Sequence, residues 1–258
     1  MITKAIIGGT GVYDLGEKTE EKNITTNYGE AKVYIKEIAG QKIAFLPRHG
    51  AQHSVPPHRI NFRANISALQ KLGVKEILAT AAVGSMNMDF PPGSLVLLDQ
   101  FIDFTKARPL TFYEGEEGVI HTDMRKPYCG RLQKILLQKA ATKKLELKQK
   151  GVYVCVEGPR FETEAEIKFY RHIGGDLVGM TNVPEVVLAR ELQMCYAAVG
   201  IVVNWCNGVV PEDISHDEII TIMKEAKEKI SSLFIKVFTE HNENGAFECN
   251  CQNCLIEL

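Results

Sequence analysis

The segment from residue 6 to residue 14 reads IIGGTGVYD and places glycines and a hydroxyl side chain directly after a short apolar run. Glycines at the end of a strand let backbone N–H groups approach an anion closely, and Thr10 adds a hydroxyl donor. An ordinary tight turn is the alternative. A dinucleotide-binding loop requires another glycine three positions after Gly11, where this chain has Asp14. The segment therefore predicts a site for a single phosphate and disfavours a nicotinamide-dependent oxidoreductase.

A second anion site is indicated by Arg48 and His49, which follow the apolar run KIAFLP. The planar guanidinium fork matches a phosphate, and the imidazole adds a donor, although exposed Arg and His residues are also common. His53 and His58, further along, are interpreted as structural. The small residues of ATAAVGS, at 79–85, permit a ligand to approach the end of another buried strand, or serve only in packing.

Two further segments carry side chains that suit a planar heterocycle. In VEGPRFETEAE, Phe161 offers an aromatic face and Glu162 offers a carboxylate that can accept hydrogen bonds from ring N–H groups. Alternatively, Glu162 only adds negative charge at a helix start, where Thr163 can cap the helix. The run IVVNWCNGV ends on Asn204, whose amide could contact a ligand or form a turn.

The elements that must position these side chains alternate along the sequence. Apolar β-type runs alternate with segments of helical periodicity, which predicts an α/β fold with one domain and a central mixed, largely parallel sheet flanked by helices. Strands are predicted at 4–9, 31–38, 42–47, 76–83, 94–102, 151–158, 176–180 and 195–204. Helical periodicity is clearest at 58–72, 129–146, 163–173 and 215–239, and residues 179–191 form a strand–loop–helix passage. A capping box of Ser215 and Glu218 places His216 at the first position of the last helix.

Composition limits the class of protein. The 258 residues are 45% hydrophobic and 24% charged, which is enough for a large core. Lys and Arg number 30 against 32 Asp and Glu, and without a long run of one sign this argues against nucleic acid and membrane surfaces as partners. No segment approaches about 18 apolar residues, and the first residues lack a signal-peptide core, so a cytoplasmic protein is expected. The predicted domain covers residues 1–240, followed by a cysteine-containing tail at 241–258.

The seven cysteines fall into two groups. Four that are scattered in apolar or turn contexts are interpreted as small hydrophobic residues: Cys129, Cys155, Cys195 and Cys206. Three lie close together in the tail sequence ECNCQNC: Cys249, Cys251 and Cys254. Three thiolates are one ligand short of a closed zinc site unless His241 or a second subunit supplies the fourth, so a disulfide is at least as plausible. The sequence leaves a disulfide, a bound metal and free thiols open.

Taken in order, these segments resemble one known family over residues 2–240. IIGGTG, RHG, NFRANI, the GS turn, DQFIDFT, FYEG, EGPRFET and GMTNVPEVVLA are similar to the trimeric purine nucleoside phosphorylase and methylthioadenosine phosphorylase family. The resemblance implies the nucleoside phosphorylase fold and reversible phosphorolysis, in which phosphate attacks the anomeric carbon of a purine nucleoside. The products are the free base and ribose 1-phosphate. It also implies a homo-oligomer, trimer or hexamer, with no cofactor and no required metal.

The resemblance assigns roles to individual positions. Phosphate is held by Thr10, Arg48, His49, the backbone at Ala82, and Thr181. The nucleoside is contacted by Phe161, Met180, Val83 and Ile219, and His121 could reach into a neighbouring subunit's site. The residues assigned to catalysis and substrate selection are Asn204, Glu162 and His216.

Substrate selection depends on two of these assignments. Family branches that act on 6-aminopurines resemble one another in having Asp at the position of Asn204. An amide can donate to O6 or a protonated N7 of a 6-oxopurine, and Glu162 can accept from N1–H and a guanine 2-amino group. Family members that use ordinary nucleosides resemble this chain in placing a His where His216 stands, which can bond the 5′-hydroxyl. We therefore expect inosine and guanosine as substrates.

Alternatives remain open at this stage. Ile219 and Ile220 keep a thioether at the 5′ position possible, so methylthioinosine or methylthioadenosine phosphorylase is the alternative activity. A non-catalytic nucleoside-binding protein is the alternative from a different class, and the intact set of phosphate and base residues argues against it.

Overall fold

The computed structural model describes residues 1–8, 19–50, 54–116, 118–211, 216–240 and 248–257. Eleven β-strands and five α-helices lie in these ranges. The strands are β1 Lys4–Gly8, β2 Thr19–Thr26, β3 Gly29–Ile38, β4 Gln41–Pro47, β5 Glu76–Ser85, β6 Leu95–Phe104, β7 Ile120–Thr122, β8 Lys148–Val156, β9 Leu177–Gly179, β10 Cys195–Trp205 and β11 Leu255–Glu257. The helices are α1 Phe62–Lys71, α2 Gly130–Thr142, α3 Glu164–His172, α4 Asn182–Glu191 and α5 His216–Thr239.

Nine of the described strands form a mixed sheet in the order β10–β6–β8–β9–β5–β1–β4–β3–β2. Strand β10 also pairs with β5, so that β5, β10, β6, β8 and β9 close into a ring. Pairing is parallel for β10–β5, β6–β8 and β8–β9, and antiparallel for β10–β6 and β5–β9. The predicted α/β class with a mixed sheet is confirmed, and the ring is an addition that apolar runs alone do not specify.

Burial explains why the ring strands read as continuous apolar runs. Nearly every residue of β5 and the first nine residues of β10 are buried, as expected for strands covered on both faces. Helices α1 and α4 contribute Phe62, Ile66 and Val186 to one apolar cluster. Helices α2 and α5 contribute Leu136 and Phe234 to another. The predicted apolar face of α5 is confirmed by its buried residues Ala226, Ile230, Leu233, Phe234 and Val237.

Several predicted boundaries differ from the structure for local reasons. Helix α1 begins at Phe62 instead of residue 58, because Pro57–Arg59 forms a 3-10 turn and Asn61 caps the helix by accepting from the Ala64 N–H. Helix α3 begins after Thr163, which forms a capping box with Glu166. The capping residue predicted for α5, Ser215, lies outside the described residues.

The C-terminal segment packs onto the 120–123 region. Strand β11 pairs antiparallel with β7, and Ile256 lies opposite His121. The Asp123 N–H donates to the carbonyl oxygen of Cys254 at 2.8 Å. Both Cys251 and Cys254 are buried, so these tail residues have fixed places against the body of the protein. Within the described ranges, each helix is too short or too polar to cross a membrane.

Candidate functional site

A cavity of 820 Å³ opens where several strands of the ring and its neighbours end. Its size lies within the range of pockets that hold small ligands. The walls come from β5, β9 and β10, from residues that directly follow β4 and β9, from the turn after β8, and from the first turns of α5. The predicted site residues that line it are Arg48, His49, Ala82, Val83, Phe161, Glu162, Met180, Thr181, Asn204 and Ile219. Segments far apart in the sequence therefore meet in one cavity, as expected for ligand sites at strand ends.

Arg48 is almost fully buried and is held by Glu185. Its Nε and Nη2 donate to the two carboxylate oxygens of Glu185, both at 2.6 Å, and Nη1 donates to the carbonyl of Thr80 at 2.9 Å. A bidentate pair of this kind fixes the plane of the guanidinium group. Sequence analysis did not identify Glu185 as part of the site. The available signal was a charged residue, Glu185, inside the otherwise apolar helix sequence VPEVVLA. Glu185 is completely buried.

Behind this ion pair, a hydrogen-bond network leads away from the cavity. The Tyr196 hydroxyl donates to Glu185 Oε1 at 2.7 Å, and the Asn182 amide donates to the Tyr196 hydroxyl at 3.1 Å. The Tyr128 hydroxyl donates to Asn182 Oδ1 at 2.5 Å. Burial is the main cause that raises the pKa of both tyrosines, so they remain neutral donors. The network compensates the buried charges and holds them in one arrangement.

Two further polar residues, His49 and Thr181, line the same cavity as Arg48. His49 Nδ1 lies 2.9 Å from the carbonyl oxygen of Val55, a contact in which Nδ1 must be the donor, and this fixes the imidazole ring. Thr181 directly precedes α4, and its N–H donates to the Tyr153 hydroxyl at 3.1 Å. A guanidinium, an imidazole, a hydroxyl and the backbone at Ala82 suit a tetrahedral oxyanion. Thr10, the fifth predicted phosphate ligand, lies outside the described residues.

Close backbone packing positions Met180 over the cavity. Gly158 has a φ of +69°, and a Cβ atom there would lie 2.6 Å from the Met180 sulfur. Any side chain at residue 158 would therefore displace Met180, which the family resemblance implies is a nucleoside contact. The glycine of EGPRF consequently serves the site through packing.

Glu162 is a buried carboxylate without a full set of partners. It is only 8% exposed, and its Oε1 atom has no hydrogen-bond partner among the described residues. Burial is the main cause that raises the pKa of Glu162 above its usual value, with a smaller contribution from Glu166. Buried polar atoms are nearly always paired. An unpaired carboxylate oxygen that lines a cavity therefore indicates that a bound molecule donates a hydrogen bond to it.

Asn204 lies at the end of β10, after a register shift between Val202 and Asn204. Its Nδ2 donates to the carbonyl of Trp205 at 2.6 Å, and because a carbonyl only accepts, this bond defines which end of the amide is nitrogen. Asn204 therefore both bonds the local backbone and lines the cavity, so the two alternatives offered by the sequence do not exclude each other. Asn207, which the sequence did not assign to the site, donates to the Glu162 carbonyl at 2.7 Å and links the end of β10 to the turn after β8.

The remaining predicted residues have different placements. His216 is the first residue of α5, in agreement with its predicted position, while its side chain is outside what the structure describes. His121 is exposed on β7 and is not among the residues that line the cavity of its own chain. Phe161 lines the cavity but is 72% exposed. Met223 and Thr80 also line the cavity and were not predicted individually.

Known proteins that are similar to this chain in sequence and in structure are phosphorylases that act on nucleosides. The sequence model of the phosphorylase superfamily matches residues 3–239. The chain is 50% identical to a probable 6-oxopurine nucleoside phosphorylase of Dictyoglomus turgidum, covering 98% of this chain and 96% of the relative. It is also 50% identical to the 6-oxopurine nucleoside phosphorylase of Pyrococcus furiosus, with 97% of each chain covered. A crystal structure of a methylthioadenosine phosphorylase from an antarctic soil metagenomic library superimposes with a TM-score of 0.91 at 33% identity, covering 98% of this chain and 91% of that chain.

Proposed function

The chain belongs to the phosphorylase superfamily, and on that basis we propose that it catalyses reversible phosphorolysis of 6-oxopurine nucleosides. Inosine and guanosine are converted to the free base and ribose 1-phosphate, a reaction of purine salvage. Relatives that are 50% identical over nearly the whole chain and are named for 6-oxopurine nucleosides support this choice. The observation that carries the base specificity is the unpaired, buried Oε1 atom of Glu162 in the cavity.

Phosphate is the co-substrate, and the anion side of the cavity would hold it. Arg48, His49, Thr181, the backbone at Ala82, and Thr10 provide the donors. One phosphate oxygen forms a bond to the anomeric carbon while the bond from that carbon to the purine N9 breaks, through an oxocarbenium-like state. Bound phosphate stabilises the positive charge of the sugar. The reaction requires no cofactor in this scheme.

The base side of the cavity would stabilise the leaving purine. The bond electrons pass to the purine ring as N9 departs, and Asn204 can donate to N7 or O6, where negative charge develops. Glu162 accepts from N1–H and, in guanine, from the 2-amino group. Adenine has no N1–H, so an adenine base would leave the Glu162 oxygen unpaired in a buried position. This difference favours 6-oxopurines.

The sugar end of the cavity is the second point of selection. Met180 would lie against the ribose, and His216, at the start of α5, would bond the 5′-hydroxyl. Val83 and Phe161 complete the nucleoside contacts. We further propose that the protein acts in the cytoplasm as a homo-oligomer, a trimer or a hexamer, and that His121 contributes to the site of a neighbouring subunit.

A methylthio-nucleoside is the second candidate substrate. Ile219, Ile220 and Met223 form an apolar wall beside the position of His216, which suits a thioether as well as a ribose. A structural neighbour named methylthioadenosine phosphorylase supports the same option. A nucleoside-binding protein without turnover is the candidate from a different class.

A substrate panel tests the proposal. Release of free base is measured from inosine, guanosine, adenosine, methylthioinosine and methylthioadenosine, each with and without phosphate. We expect rapid, phosphate-dependent cleavage of inosine and guanosine. Faster cleavage of adenosine would contradict the base assignment, and cleavage without phosphate would contradict phosphorolysis. Binding without cleavage would support the non-catalytic alternative.

A further inference from the structure

Four cysteine side chains meet on the side of the molecule where the C-terminal segment packs. They are Cys129, Cys195, Cys249 and Cys251, and their sulfur atoms all lie within 4.8 Å of one another. The sulfur atoms of Cys195 and Cys249 are 3.4 Å apart. All four residues are free thiols. None of the four lines the proposed nucleoside cavity, so the phosphorolysis reaction does not account for the cluster.

Independent elements bring these four residues together. Cys129 directly precedes α2, and its N–H donates to the carbonyl of Tyr196 at 2.7 Å. Cys195 is the first residue of β10, and its N–H donates to the carbonyl of Lys75 at 2.8 Å. Cys251 begins the 3-10 turn of the C-terminal segment. The positions of Cys129 and Cys195 are fixed by α2 and β10, independently of the tail. Cys249 and Cys251 of the tail pack against this pair.

The separation of the sulfur atoms distinguishes a metal site from other arrangements. A zinc ion with four thiolate ligands has Zn–S distances of about 2.3 Å, which places the sulfur atoms about 3.8 Å apart. The contact of 3.4 Å and the upper limit of 4.8 Å lie on either side of that value. Disulfide sulfur atoms are about 2.05 Å apart and occur in pairs, whereas here all four atoms are mutual neighbours.

Charge and burial also suit a bound cation. Cys129, Cys195 and Cys251 are buried, and Cys249 is exposed at the edge, so the site is closed on the protein side. Four thiolates around a divalent ion leave two negative charges in total. Arg131 lies next to the cluster, with its Nη2 atom 3.5 Å from the Cys195 sulfur, and it also pairs with Glu76. The guanidinium group offsets part of the remaining negative charge.

We propose that Cys129, Cys195, Cys249 and Cys251 form a structural zinc site that ties the C-terminal segment to the start of β10 and of α2. Four thiolates fill the tetrahedral coordination of Zn²⁺ and leave no position for water, which makes the site structural instead of catalytic. Zinc replaces the thiol protons, and these are released to solvent on binding. No change of oxidation state is involved.

The arrangement differs from the sequence expectation in its choice of ligands. The sequence grouped Cys249, Cys251 and Cys254 and left the fourth ligand to His241 or a second subunit. The Cys254 sulfur instead donates to the carbonyl of Arg190 at 3.1 Å and lies outside the cluster. The missing ligands come from Cys129 and Cys195. His241 lies outside the described residues, and the four thiolates complete the site without it.

Zinc at this position would also order the segment that follows. Three residues after Cys251, the chain passes Cys254 and enters β11, which pairs with β7. Strand β7 carries His121. A zinc ion would therefore hold in place the edge of the molecule that carries His121. This residue lies more than a hundred residues before the tail cysteines in the sequence.

The first test is the metal content of the full-length protein, purified under reducing conditions without a chelator. Elemental analysis is expected to give about one zinc ion per chain. Substitution by Co²⁺ is expected to give absorption bands of tetrahedral thiolate coordination. Iron in place of zinc, or no bound metal after incubation with zinc and buffer exchange, would overturn the proposal. Two disulfides among the four cysteines, detected as a loss of four hydrogens in the mass of protein purified without reductant, would also overturn it.

A matched pair of variants provides the second test. Cys249→Ser changes the exposed ligand and leaves no hole in the core, while Cys254→Ser changes a tail cysteine outside the cluster. We expect zinc to be lost from Cys249→Ser and retained in Cys254→Ser. A strong chelator should lower the Tm of the wild type and of Cys254→Ser by about 10 °C and leave Cys249→Ser unchanged. Equal zinc content in the two variants would contradict the site. If Cys249→Ser does not fold, the zinc content of the wild-type protein still decides the question.

Discussion

At the scale of single residues, Glu162 combines a cost in stability with its proposed role in recognition of the base. Glu162 is buried with one oxygen unpaired among the described residues, and its pKa is raised because burial disfavours the ionised form. For an acid whose pKa rises on folding, the ionised form destabilises the protein at pH values above that pKa. Only a ligand that donates to Glu162 compensates this cost. The residue is therefore better explained by binding than by folding.

The variant Glu162→Gln tests this explanation. Removing the charge should leave the Tm unchanged or raise it, because the buried ionised group is gone. The kcat/KM for inosine should fall by about tenfold to a hundredfold, as a charge-assisted hydrogen bond is worth about 1.5–3 kcal/mol, with a larger fall for guanosine. Thermal unfolding and steady-state kinetics measure both effects. Glu164→Gln, an exposed residue on α3, is the control, and a large fall in the Tm of Glu162→Gln alone would indicate a structural role.

The pH dependence follows from the same carboxylate. In the proposed binding mode the ionised carboxylate of Glu162 accepts a charge-assisted hydrogen bond from N1–H, and protonation makes it a weaker acceptor. The kcat/KM for inosine should therefore fall as the pH drops through the pKa of Glu162 in the free enzyme. Because that pKa is raised, the midpoint should lie above the ordinary value of 4.5. The midpoint is read from a plot of log kcat/KM against pH, in a range where the protein stays folded. The same acid limb in Glu162→Gln would assign it to another group.

Asn204→Asp tests the amide. A carboxylate at this position repels the purine O6 and also meets the Trp205 carbonyl, to which the amide now donates at 2.6 Å. We expect inosine turnover to fall by about tenfold to a hundredfold and the ratio of adenosine to inosine kcat/KM to rise. Base release from the two nucleosides provides the measurement. An unchanged ratio would mean that another residue selects the base.

At the scale of elements, apolar runs predicted most strands that carry the site, and the misses have physical reasons. Strand β2 consists mainly of polar residues, half of them exposed, and it forms because it pairs with β3 along its whole length. Strands β7 and β11 are three residues each and exist only as partners of one another. Closure of the ring by β10 and β5 depends on long-range pairing, which periodicity does not encode. The meeting of the segments assigned to phosphate and base could be predicted, because each of them follows a strand. The ion pair of Glu185 with Arg48 could not be predicted in this way.

Helix α4 supplies that support, and Glu185→Gln tests it. The change leaves the buried Arg48 charge without its bidentate partner, so the free energy of unfolding should fall by about 3–5 kcal/mol. Because the guanidinium plane is no longer held, the KM for phosphate should rise by about tenfold. Glu191→Gln is the matched control, since Glu191 is buried on the same helix but accepts from Thr111 and the Phe112 N–H. A lower KM for phosphate would show that Glu185 competes with the anion instead of positioning Arg48.

At the scale of the whole molecule, one cavity of the described chain collects most of the assigned site residues, while His121 lies outside it. His121 is exposed on β7 and does not line the cavity of its own chain. Its contribution to the site of a neighbouring subunit is a proposal that rests on the family resemblance. A closed ring of subunits would give each cavity the His121 of the next chain.

Mixed oligomers distinguish this arrangement from a site contained in one chain. Chains with His121→Ala and chains with Glu162→Gln are each expected to be impaired, because every site lacks one group. When both are co-expressed with different tags and purified through both, a site can combine an intact cavity with the intact His121 of its neighbour. After random mixing and purification through both tags, about one site in three of a trimer, or about one in four of a hexamer, should be fully intact, so activity should exceed that of either parent. If His121 acts only in its own chain, each chain keeps one defect, and the mixed oligomer gains no activity over the mean of the two parents.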